Sequence, residues 1–190
     1  MQDYFPNSDN CWAKTVAAAR QYRSAEWPDM MQDTAREDLL KLEHQLCFAL
    51  YAASRAVIKT YREKLTPLGL TYPQYLVLTV LWESDAQTLT AIGTRLQLDS
   101  GTLTPLVKRL EANGLVTRNR RSTDEREIEI ALTEAGSALK LHAVEVRRHV
   151  VRCLGMPEDE ISRMRKELMD MVDTLDSNGL AEGRRHAVQA

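Results

Sequence analysis

Between Thr90 and Leu132 the chain carries two short one-sided helices followed by a hairpin whose tip is loaded with arginine. Few folds accept that order. Ile92 and Leu96 lie four apart and form a single apolar stripe. Gln97-Leu98-Asp99 reads as a turn. A second helix, opening at Ser100, sets Leu103, Leu106, Val107 and Leu110 at the i, i+3, i+4, i+7 spacing of a helix buried on one side. It closes at Asn113-Gly114, a pair suited to the left-handed position just past a helix end. Two strand-like runs follow, Leu115 to Arg120 and Glu127 to Leu132, joined by Arg121-Ser-Thr-Asp-Glu-Arg126.

Helix, turn, helix and β-ribbon in this order specify a winged helix-turn-helix, which lays its second helix in the DNA major groove. The expected class is therefore mainly α with a small β-wing, flanked by long dimerisation helices. The formal charge of −2 gives no hint of nucleic acid, but its distribution does. From Lys108 to Arg121 five basic residues face a single acid, Glu111, a local +4. Such a patch on an acidic body has the footprint of a phosphate-contacting face; the plainer alternative, a solvated face, would normally mix its signs. Ser100, Thr102 and Thr104 sit on the first turns of the second helix, where short hydroxyls reach phosphates or bases. Lys108 and Arg109 would face the DNA backbone, with Arg118 and Arg120 on the strand that follows.

Length and cysteine usage narrow the class further. At 190 residues and 21.6 kDa, one domain with a good-sized core is the natural expectation. No run approaches the roughly 18 apolar residues of a membrane span, and the amino end lacks the pattern of a signal peptide. Cys11, Cys47 and Cys153 are too few and too scattered for a disulfide framework or a zinc site. The chain reads as a cytoplasmic protein without membrane contact, metal or cofactor, its thiols normally reduced.

Residues 1–33 are irregular and read either as a flexible tail or as an extension upstream of a true start at Met30 or Met31. Thr34-Ala-Arg-Glu37 has capping-box form. A long helix is expected from there to about Leu65, with Leu39, Leu42, Leu46, Leu50, Ala53 and Val57 on one face, ended by Thr66-Pro-Leu-Gly69. Tyr72-Pro73 opens the next helix and with it a DNA-binding lobe over about 73–132. Thr133 caps a helix through Leu139, Ala143, Val146, Val150 and Cys153, broken by Gly155 and Pro157. A last helix carries Ile161, Met164, Leu168, Met171 and Leu175 to about 178, leaving a tail over 179–190. These seams step by threes and fours and want helix partners. They serve either packing within the chain or a homodimer through about 34–66 and 133–178. A homodimer would supply the two-fold symmetry for a pseudo-palindromic stretch of double-stranded DNA.

Four segments resemble the MarR family, and within it the organic-hydroperoxide-sensing OhrR repressors: Leu46-Cys-Phe-Ala-Leu-Tyr51, Leu70-Thr-Tyr-Pro-Gln-Tyr75, Leu98-Asp-Ser-Gly-Thr-Leu-Thr-Pro-Leu106 and Asp124-Glu-Arg126. The match covers roughly Leu39 to Leu175. It implies a homodimeric repressor of peroxide-resistance genes, with an organic hydroperoxide as effector, that leaves its operator when Cys47 is oxidised. It implies that Tyr61 and Tyr72 donate hydrogen bonds at the sensor. Arg126 would enter the minor groove, where a narrow A·T-rich tract concentrates negative potential, and Asp124 would brace the wing. Cys153 stands where the two-cysteine repressors keep their second thiol, so the resemblance implies a resolving role and an intersubunit disulfide with Cys47. Cys11 has no counterpart.

The residues themselves leave choices open. Cys47 beside an apolar stripe is either a small core residue or a reactive thiol; Cys153 completes a stripe and reads equally as core. His44 and Tyr51 lie within a turn of Cys47 as lesser candidates for its surroundings. Cys47 and Tyr61 are 14 residues apart on one expected helix, about 21 Å of rise. A paired tyrosine would then come from a partner subunit. Two rivals stand beside a redox repressor. One is a MarR-type regulator released by a phenolic ligand; the other is a thiol peroxidase, which would have no use for the basic hairpin.

Overall fold

The computed structural model describes residues 38–120 and 127–187, with side chains to residue 177. The leader with Cys11, the Thr34–Glu37 capping box and the hairpin tip with Asp124 and Arg126 lie outside the described residues. The chain divides into two compact units, 1–53 and 54–190.

In the first unit the long helix expected from Thr34 is not continuous through the described residues. A 3-10 turn spans Leu42–His44, Gln45 is extended at φ −85° and ψ 106°, and helix α1 runs only over Leu46–Leu65, its residues from 54 onward belonging to the second unit. Local side chains explain the interruption. His44 Nδ1 donates to the Asp38 carbonyl at 2.8 Å, and Gln45 Nε2 donates to the Leu39 carbonyl. Both oxygens thus accept side-chain donors, and the Asp38 carbonyl also takes the Lys41 N–H three residues on, in place of helical N–H groups four residues on, the competition that breaks helices. Leu39 and Leu42, assigned from sequence to the helix face, lie before it and are exposed.

The second unit holds the core. After α1, Gly69 turns the chain at φ 69° and α2 follows over Tyr72–Glu83. Gln74 Oε1 accepts the Thr71 backbone N–H at 2.9 Å, which satisfies a buried amide while fixing the helix start. Next come β1 (Gln87–Thr88), α3 (Leu89–Leu96), α4 (Ser100–Ala112), β2 (Val116–Arg120), β3 (Ile128–Leu132), α5 (Glu134–Leu154) and α6 (Glu158–Ala187). The last helix passes residue 178, where the sequence places a tail. Gly114 takes the left-handed conformation expected after the second short helix, at φ 70°.

The sheet is antiparallel in the order β1-β3-β2, with Gln87 and Arg118 both opposite Ile130. Ile130 is fully buried at its centre, together with Leu78, Val77, Ile92, Val107 and Leu110. Each such side chain stabilises the fold by about 1.5–3 kcal/mol. The winged helix-turn-helix is therefore the core of this unit. The outer helices behave differently: Leu141, Val144 and Leu154 of α5 and Met164, Leu168, Met169 and Leu175 of α6 are exposed.

Candidate nucleic-acid interface and reactive thiols

The turn between α3 and α4 is built by three local devices. Gln97 adopts φ 53°, Leu98 N–H returns to the Gly93 carbonyl at 2.9 Å, and Asp99 caps α4. A Cβ at Gly93 would stand 2.9 Å from the Leu98 carbonyl oxygen, so this close turn favours glycine there. The Asp99 carboxylate accepts the Thr102 N–H and the Thr102 hydroxyl, both at 2.8 Å. Those two bonds, the backbone one foremost, hold its carboxyl below the usual range. An ionised cap at a helix N-terminus is stabilising, and it fixes the angle at which α4 leaves the turn.

On α4, Leu103, Val107 and Leu110 face the core, while Ser100, Thr102, Pro105, Lys108 and Arg109 are exposed. The three hydroxyls picked out from sequence are not equivalent. Thr102 gives its proton to Asp99, and half-buried Thr104 donates to the Ser100 carbonyl at 2.6 Å. On the first wing strand Arg120 is exposed; Arg118 is half-buried and lies 3.4 Å from Glu111. Asp85, passed over in the sequence, ties the wing to the body. Its Oδ1 accepts the Leu132 N–H at 2.8 Å.

Tyr61 and Tyr72 come together, with ring centroids 4.7 Å apart, and Tyr75 joins them at 5.5 Å from Tyr61. Trp82 extends the cluster edge-on from Tyr75. Tyr75 ends one of the segments that carry the resemblance, but neither it nor Trp82 is singled out in the sequence as a member of this cluster. Burial, and then the neighbouring Tyr75 and Tyr72, push the Tyr61 phenol up to about 12. Burial likewise raises Tyr72. Both therefore stay protonated and able to donate at neutral pH. A phenol raised from 10 to about 12 keeps its stabilising contribution below pH 10 and loses it as pH climbs through 12. Unfolding free energy should fall by about 2–3 kcal/mol from Tyr61 across that window. Denaturant titrations between pH 9 and 12 should show a visibly shallower decline in Tyr61→Phe; equal slopes would refute the assignment.

Cys47 and Cys153 are both free and exposed. Cys47 is the second residue of α1, at the end of a helix where the backbone dipoles present their positive pole. The sequence reads a helix start 13 residues earlier; the break at Gln45 instead places Cys47 in the first turn of α1. Cys153 does not complete a buried stripe, and its Sγ lies 3.6 Å from His149 Nε2.

Among the described residues no helix is long and apolar enough to cross a membrane, and no cluster fit for a metal ion occurs. A family model described as Transcriptional regulator SarA/Rot matches residues 59–142. A MarR-family transcriptional regulator from Rhodococcus sp. RHA1 superposes with a TM-score of 0.59 at 25% identity, over 70% of this chain and 95% of its own. The Organic hydroperoxide resistance transcriptional regulator of Bacillus subtilis (strain 168) is 44% identical over 138 residues, 73% of this chain and 94% of the relative. The chain belongs to the MarR family. It is a DNA-binding transcriptional regulator of that family's organic-hydroperoxide-resistance type, not an enzyme. A further similar structure is AbfR of Staphylococcus epidermidis. Its reduced form bound to DNA matches at 40% identity with a TM-score of 0.62, covering 74% of this chain and 98% of that one. Its disulfide form matches at 39% with a TM-score of 0.52, covering 73% and 99%.

Proposed function

We propose that the protein is a homodimeric repressor of a pseudo-palindromic operator that senses organic hydroperoxides through Cys47 and releases DNA by an intersubunit disulfide with Cys153. The observation that carries this reading is an exposed, free thiol in the first turn of α1, in a chain 44% identical to a regulator named for organic hydroperoxide resistance. A hydroperoxide would transfer its distal oxygen to the Cys47 sulfur and leave as an alcohol. The resulting sulfenic acid is the reversible first rung of thiol oxidation. Protonated Tyr61 and Tyr72 are suited to donate hydrogen bonds to the thiolate or the bound peroxide. Cys47 and Tyr61 share one uninterrupted helix, which supports a tyrosine supplied by the partner subunit. Exposed apolar residues along α5 and α6 support helix pairing between copies. AbfR, solved both reduced on DNA and in a disulfide form, supports a two-state cycle of this kind.

On DNA, α4 would enter the major groove with Lys108 and Arg109 toward phosphates, while Arg126, braced by Asp124, would reach the minor groove. Arg109→Ala should weaken binding across sequences and lower the salt slope by about one phosphate contact. An unchanged slope, measured by fluorescence anisotropy at several salt concentrations, would count against this docking. The reading as a whole is tested by titrating a labelled promoter fragment with protein, then adding an organic hydroperoxide with and without dithiothreitol. Release by hydroperoxide and recovery with dithiothreitol are expected. Release by a phenolic compound alone, with no response to hydroperoxide, would replace the thiol mechanism with a ligand-gated one.

A further inference from the structure

Cys153 is not an isolated thiol. It stands one turn after His149 on α5, with Sγ 3.6 Å from His149 Nε2. The same nitrogen lies 3.7 Å from Glu63 Oε2, which projects from α1. His149 is half-buried whereas Cys153 and Glu63 are exposed, so the ring is the fixed member of the three. The other charged or titratable groups around it are Lys64 of α1 and His142, Glu145 and Arg152 of its own helix, which share a cavity of about 180 Å³. Lys64 and Arg152 oppose positive charge on the ring. Glu145 is held by Arg148 at 2.7 Å, so Glu63 is the carboxylate placed to favour that charge.

We propose that His149 is the proton acceptor for Cys153, with Glu63 as the positioning residue that holds the protonated ring. The inference deepens the sensor reading, on which its use in disulfide formation rests. The neutral ring presents the Nε2 lone pair to the Cys153 S–H. As the Cys153 sulfur attacks the Cys47 sulfenic sulfur, the S–H proton passes to Nε2, the S–S bond forms and the Cys47 S–O bond breaks. The departing hydroxide takes a proton back from the ring and leaves as water. The only oxidant consumed is the organic hydroperoxide that made the sulfenic acid, itself reduced to an alcohol. General-base help of this sort matters most near neutral pH, where an ordinary thiol is mainly protonated.

The test isolates the pair from peroxide chemistry. In a Cys11→Ser, Cys47→Ser protein, Cys153 is the sole thiol, and its alkylation by iodoacetamide is followed between about pH 5.5 and 9.5. With His149 present the rate should carry an inflection below neutral-to-alkaline thiol ionisation that depends on the His149–Cys153 contact. His149→Gln should lose that inflection and react about tenfold more slowly at pH 7, while Glu63→Gln should fall between. Operator binding by the reduced variants should be unchanged, which reports that they fold. If His149→Gln does not fold, Glu63→Gln carries the test. Profiles that overlie the parent's overturn the proposal. In the Cys11→Ser protein, His149→Gln should also slow disulfide formation after hydroperoxide treatment about tenfold, without slowing trapping of the Cys47 sulfenic acid by dimedone. Absence of any Cys47–Cys153 disulfide in the parent would refute the sensor reading, whereas the alkylation profile decides the role of His149 independently.

Discussion

Cys47→Ser binds the operator like the parent and stays bound under hydroperoxide. The parent should lose about 100-fold in operator affinity on oxidation, the upper part of the usual range for coupling between two sites. The serine variant should change by less than about twofold. Serine is close in size at the same first-turn position of α1, but it has no oxidation ladder. Folding and reduced-state DNA contacts are therefore preserved, because Cys47 is exposed and supplies no core packing. Electrophoretic shifts across a hydroperoxide series would read the result directly. A serine variant that still released DNA, and recovered with dithiothreitol, would remove Cys47 from the mechanism. Non-reducing gels on the same samples should show a dimer band in the parent that is absent in Cys47→Ser and Cys153→Ser and present in Cys11→Ser. A band lost in Cys11→Ser and kept in Cys153→Ser would shift the resolving role to the leader.

The parts of the fold legible in the sequence were those set by local pattern. The spacing of Leu103, Val107 and Leu110 located α4, and Asn113-Gly114 located its end, because one-sided burial and a left-handed glycine leave a residue-level signature. Thr133 announced α5 by itself; its Oγ1 accepts the Gly136 N–H at 3.0 Å. What escaped depends on contacts far apart in sequence. β1 has two residues, too few for any period, and exists because Gln87 and Thr88 find β3. The helix break before Cys47 escaped for a different reason. Leu39, Leu42 and Leu46 continue the apolar spacing into α1, and bonds of His44 and Gln45 to upstream carbonyls interrupt it. Of the candidate site, Cys47, Cys153, Tyr61 and Tyr72 were visible through the family resemblance. His149 and Glu63 were not, since His149 meets Cys153 from one turn away and Glu63 meets His149 from another helix.

Gly136→Ala should destabilise the winged-helix unit by about 3 kcal/mol, at the upper end for overpacking a closed contact. At Gly136 the start of α5 presses onto the backbone at Leu115, just before β2. A Cβ there would lie 2.0 Å from the Leu115 carbonyl oxygen and 3.0 Å from its carbon, both backbone atoms that no rotamer change can move. The contact is locked from several directions. Leu115 O accepts the Thr133 N–H at 3.1 Å, the Thr133 hydroxyl donates to the Gly114 carbonyl at 2.7 Å, and the Gly136 carbonyl accepts Trp82 Nε1–H at 2.9 Å. Lys140 adds a bond from α5 to the Trp82 carbonyl at 2.8 Å. Making room for a methyl group therefore means lifting α5 from the hairpin base and stretching these bonds together. At about 3 °C per kcal/mol for a unit of this size, the midpoint of thermal unfolding should drop by roughly 10 °C. Trp82 supplies the probe, because its indole loses a hydrogen bond in the same movement and its fluorescence should shift in the folded variant. A midpoint within about 2 °C of the parent would show that α5 and Leu115 are not in close backbone contact. Because α5 also carries His149 and Cys153, the displaced helix should weaken operator binding and thiol chemistry together, whereas Cys47→Ser separates them.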